Sequence, residues 1–160
     1  MRWPILLVLS GLALLSSSVY APLLGSAVFV ADPAFVLLAW ICLVDRWPRI
    51  LLVSVAIFCF RIGNTIASPL EVLGPLISIV LVVRLVRSSI SPYDRWRRMF
   101  IIIPALLLAG FTCRQSMASD LEWGFSGFFA DGALAFIVAA IMFPLLDLTR
   151  PLLKSARYPE

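Results

Sequence analysis

Residues 125–148 read FSGFFADGALAFIVAAIMFPLLDL. From Gly132 to Leu146 no side chain is charged. A helix needs about 20 mostly apolar residues to cross the roughly 30 Å hydrocarbon core of a bilayer. Lipid offers the backbone no hydrogen-bond partner, so such a run must satisfy its own N–H and C=O groups as a helix. The stretch therefore predicts a membrane-spanning helix, and the rest of the chain has the same texture.

Five further apolar segments precede it: PILLVLSGLALLSSSV (4–19), PAFVLLAWICLVD (33–45), ILLVSVAIFCF (50–60), LGPLISIVLVVRLV (73–86) and MFIIIPALLLAGF (99–111). The whole chain of 160 residues is 62% hydrophobic and only 14% charged, with a mean hydropathy of +1.03. Soluble domains are about a quarter charged. A chain of this size keeps too much surface to hide such an excess of apolar residues in a core. The reading is an all-α integral membrane protein of about six transmembrane helices, forming one polytopic domain over residues 1–160.

The first segment also has the look of a signal peptide. Arg2 precedes an apolar core, and Val19 and Ala21 stand where a signal peptidase reads. Because more spans follow, an uncleaved first helix is expected. The second segment is short for a span and would start earlier or tilt. DRWPR (45–49) is a tight polar turn, RSSISPYDRWRR (87–98) a basic loop and CRQSMASDLEWG (113–124) a polar turn.

Charge orients the six spans. With both termini in the cytoplasm, Arg2, Arg46, Arg49, Arg84, Arg87, Arg95, Arg97, Arg98, Arg150, Lys154 and Arg157 share the inner side. Only Arg61 and Arg114 lie outside, so 11 of 13 basic residues are internal. Cytoplasmic loops carry the excess of Lys and Arg. The distribution accounts for the net charge of +4 without nucleic acid. Arg95, Trp96, Arg97 and Arg98 are candidates for contact with anionic lipid at the inner leaflet.

Catalytic and metal chemistry find little support. There is no histidine, which removes the commonest general base and metal ligand. Cys42, Cys59 and Cys113 stand apart in separate segments, with no spacing that suggests zinc or a redox pair. Asp120 and Glu122 are two residues apart, so they would not face one another on a helix, and they read as solvated charge. No phosphate loop, serine nucleophile motif or zinc-protease motif occurs. No catalytic residue, cofactor or metal is expected.

The conspicuous polar stretch is FRIGNTIASPLEVLGP (60–75). It sets Arg61, Asn64 and Glu71 between two of the most apolar spans. Gly63, Pro69, Gly74 and Pro75 argue against straight helix here, and the segment would dip into the membrane as irregular backbone. Arg61 would pair with Glu71 or with Asp131 at the mouth of the sixth span. Arg61, Asn64, Glu71 and Asp131 are the candidate contacts for a partner or ligand. The plain alternative is a side chain snorkelling to the interface without function. Ala135 and Ala139, with Gly132 and Ala140, give the sixth helix a small-residue face that allows close helix approach.

The order DPAFVLLAWICLVD, small basic turn, ASPLEVLGP, a span ending in RLVR and a last span ending in FPLLDLTRPLL resembles the rod shape-determining protein MreD family. The resemblance runs from about Asp32 onward and is one of pattern and hydropathy. Relatives tend to carry an Asp in the third span before a Pro-Leu-Gly turn. This chain has Gly63 and Asn64 there, and Glu71 in place of the glycine. The resemblance implies a bundle similar to the S component of energy-coupling-factor vitamin transporters. It also implies a non-enzymatic scaffold of cell-wall elongation in the bacterial inner membrane. The implied partners are an MreC-like membrane-anchored protein and, around it, RodA, a class B penicillin-binding protein and MreB. The second function kept open is a small-molecule-binding subunit like that S component, with the 60–75 turn as a lid.

Overall fold

The computed structural model describes residues 3–24, 32–64, 69–87, 95–116 and 125–153. These residues form six helices and no strand: α1 (Trp3–Leu24), α2 (Pro33–Val44), α3 (Trp47–Asn64), α4 (Pro69–Arg87), α5 (Arg95–Ser116) and α6 (Phe125–Leu153). Each of the six apolar segments falls in its own helix, with Asp45 of the second just past the end of α2.

The architecture is a ring around an axis. α1 touches α3, α3 touches α4, α4 touches α5, α5 touches α6, and α6 returns to α1. α2 packs against all five and occupies the middle. Every residue from Pro33 to Leu43 is buried. α2 therefore needs apolar side chains on all its faces, and PAFVLLAWICL supplies them. Its 12 residues span about 18 Å at the α-helical rise, shorter than its neighbours.

The ring helices bury one stripe each. α1 turns in Leu6, Ser10, Ala13 and Ser17, α3 Ile50, Val53 and Ile57, and α6 Ala135, Ala139, Phe143 and Leu146. These spacings of three and four residues are the helical period. Ser10 answers its own burial by donating from Oγ to the Leu6 carbonyl at 2.7 Å. The small face of α6 is turned inward, and a methyl added at Gly132 would sit 3.8 Å from Leu107 of α5.

The outward faces are also apolar. Leu7, Leu12 and Leu15 of α1, Leu51 and Val55 of α3, Ile77 and Leu81 of α4, and Ile137 and Ile141 of α6 are all more than half exposed. Among the described residues two helical stretches are long and apolar enough to cross a membrane: Trp47–Asn64, and Gly132–Thr149 within α6.

Three expectations change. α3 continues to Asn64 and α4 begins at Pro69, so Gly63, Gly74 and Pro75 are helical rather than irregular. Pro75 lies in the second turn of α4, where a missing N–H removes only one bond. Gly74 sits 3.8 Å from the Thr112 Cβ of α5, measured from an added methyl, so it serves helix packing. The basic segment 87–98 is a loop only in part, because Arg95 to Arg98 are the first turn of α5. Cys113 to Ser116 likewise extend α5. Arginine is a good helix former, so the helix outruns its apolar stretch.

Candidate functional site

Among the described residues, charged side chains gather at the two ends of α2. At its N-terminus Asp32 is the cap residue, with extended backbone (φ −67°, ψ 119°), and its carboxylate accepts from the Ala34 N–H at 2.8 Å. Its carbonyl accepts from the Phe35 and Val36 N–H groups, both at 3.1 Å. Proline follows at the first helical position, where its missing N–H costs nothing and its fixed φ suits the helix.

The second oxygen of Asp32 accepts from Arg61 Nη2 of α3. The Asp32 side chain is fully buried and that of Arg61 is 11% exposed. The guanidinium also lies 4.7 Å from the centre of the Phe35 ring, a cation–π contact strengthened by desolvation. A buried carboxylate is tolerated only when paired and hydrogen-bonded. Asp32 has the cap bond and the arginine, and its negative charge also suits the positive end of the α2 dipole.

At the C-terminus of α2 the polarity reverses. The Asp45 N–H donates to the Ile41 carbonyl at 2.8 Å. Arg87 Nη1 of α4 donates to the carbonyls of Cys42 and Asp45 at 3.2 and 3.0 Å. Arg84 Nη2 donates to the Asp45 carbonyl at 3.1 Å. The last carbonyls of a helix have no partner within it, and cations there oppose the negative end of the dipole. The Asp45 carboxylate is held by Arg49 Nη1, 2.8 Å from both oxygens, and by the Arg46 N–H at 2.8 Å. Two tryptophans frame the cluster: Trp3 lies 5.5 Å from Arg49 and Trp47 lies 4.8 Å from Arg84. Nearby in α2, Trp40 Nε1 donates to Asp147 of α6 at 3.3 Å.

Of the expected contact residues, Arg61 takes Asp32, 29 positions away in sequence, as its described carboxylate partner. The side chains of Glu71 and Asp131 lie outside the described residues. Asn64 is exposed and its amide donates to the Phe60 carbonyl at 2.8 Å, one turn back on its own helix. Arg95, Trp96, Arg97 and Arg98 belong to α5 by backbone, and their side chains also lie outside. Sequence reasoning did not single out Asp32 or Asp45. Asp32 carried a signal, since an Asp immediately before a Pro and an apolar run marks a helix start. Asp45 and the carbonyl-directed arginines carried none.

The described groups at the two ends of α2 engage in helix-end hydrogen bonds and ion pairs. Among the described residues no three His, Cys, Asp or Glu side chains come together to hold a metal. Cys42 is buried and Cys59 faces outward, both as free thiols. The chain matches no family model, no curated protein and no solved structure.

Proposed function

We propose that the chain is a multi-pass protein of the bacterial inner membrane, with six spans and both termini in the cytoplasm. We propose further that it is a non-catalytic scaffold of the cell-wall elongation machinery, with an MreC-like protein as its partner. The observation that carries the membrane reading is the inverted character of the packing. Large aliphatic side chains cover the outer faces of the ring helices, while most of the described charges turn onto α2 and its ends. In water this surface would be a continuous aggregation site, since monomeric soluble proteins rarely expose apolar patches above a few hundred Å². In lipid it is a matched solvent.

The sidedness argument gains from the clusters. Arg49, Arg84 and Arg87 meet Asp45 at one end of α2, and Arg61 meets Asp32 at the other. This partition supports the sidedness proposed from the positive-inside count. The scaffold reading rests on the MreD resemblance, on a sequence with no histidine and no nucleophile motif, and on an axis filled by side chains. The S-component alternative would need a pocket with several converging polar groups, and no observation favours it.

Affinity capture of the tagged chain from membranes tests the function. Recovery of an MreC-like protein is the expected result. Recovery of the chain without MreC-like or other wall-synthesis proteins would overturn it. Reporter fusions after residues 46, 90 and 157 should mark the cytoplasmic side, and fusions after 66 and 119 the outer side.

A further inference from the structure

An apolar groove of about 580 Å³ lies between α3 and α4. Trp47, Leu51 and Phe58 line it from α3, and Leu73, Ile77 and Leu81 from α4. From Trp47 to Phe58 the helix rises about 17 Å. That is close to half of the roughly 30 Å hydrocarbon core, the depth of one leaflet. A spanning partner helix would need a seat along the whole core.

The two ends of the groove differ. Its deep end, at Phe58 and Leu73, is apolar. Its other end closes on Trp47, over which Arg84 stacks at 4.8 Å. Arg84 Nε is buried and has no hydrogen-bond partner among the described residues. Arg46, next to Trp47, is exposed. Arg87 stands one turn beyond Arg84, bound to backbone carbonyls. The carboxylate here, Asp45, is matched by Arg49, so this end keeps an excess of positive charge.

We infer that the α3–α4 groove is a binding site for an anionic phospholipid of the inner leaflet. One acyl chain lies along the groove, and the phosphate sits at Arg46 and Arg84 beside Trp47. The inference rests on the membrane reading above and goes beyond the scaffold role. Interfacial tryptophan and arginine suit headgroup depth. Each arginine near an anionic headgroup favours binding by roughly fivefold.

The test uses the full chain in vesicles of phosphatidylcholine, alone or mixed with phosphatidylglycerol, followed by gentle detergent extraction and native mass spectrometry. One retained phosphatidylglycerol per chain is expected, in preference to phosphatidylcholine by about fivefold or more. Arg84→Gln should cut retention several-fold. That variant also removes a bond to the α2 terminus, so Ile77→Trp serves as the second variant. It fills the groove from an exposed position and should abolish retention with unchanged helicity by circular dichroism. Equal retention of both lipids, or full retention by Ile77→Trp, would overturn the inference. So would crosslinking from a cysteine at position 77 to a partner polypeptide instead of lipid. A chain that fails to enter the vesicles would sink the membrane reading itself. A chain that inserts and retains no lipid sinks only the groove site.

Discussion

Asp32 and Arg61 form a buried pair whose members depend on one another. Replacing one partner leaves an unmatched charge in an apolar setting, which typically costs about 3–5 kcal/mol. Arg61→Met should therefore lower stability by about that amount, read from thermal or denaturant unfolding in detergent. The double variant Asp32→Asn/Arg61→Met should recover most of the loss. Asparagine still caps α2 as well as aspartate does, and no charge remains buried. A single variant that loses under about 1 kcal/mol would mean that the pair is solvated, as exposed pairs are. Asn64, whose bond stays within its own helix turn, should tolerate alanine with little change.

At the scale of the elements, α2 is a short helix clamped at both termini by side chains from α3 and α4. The Cys42 carbonyl near its C-terminus accepts from Arg87, and Arg87→Gln should cost about 1–3 kcal/mol by leaving that carbonyl unmatched. The small face of α6 makes a second prediction. Ala139 is fully buried and Ile141, two residues on, is 61% exposed. Ala139→Leu should destabilise by about 1–3 kcal/mol through overpacking, whereas Ile141→Ala should be nearly neutral. Equal effects at the two positions would contradict the assigned orientation of α6. That orientation was legible in sequence, because Ala135 and Ala139 repeat at helical spacing. The orientation of α1 and α3 was not, because their outward faces are as apolar as their inward ones and leave no periodic contrast to read.

For the whole molecule the decisive quantity is the solvent that the outer surface prefers. A lysine at the centre of a spanning helix costs about 2.5–3.5 kcal/mol on insertion. Leu12→Lys combined with Ile141→Lys should sharply reduce the fraction that stays in the membrane pellet after alkaline extraction. On a water-facing surface the same changes would be harmless or would improve solubility. Composition and hydropathy alone carried the lipid-like character and the six helical segments, because each is local or additive along the chain. Tertiary structure decided that α2 is the axis, that Arg61 reaches back to Asp32, and that Arg84 and Arg87 serve the end of α2. Those pairings span 29 to 45 positions. They follow from which helix is surrounded by the others, and a set of helices apolar on every face does not encode that in its pattern.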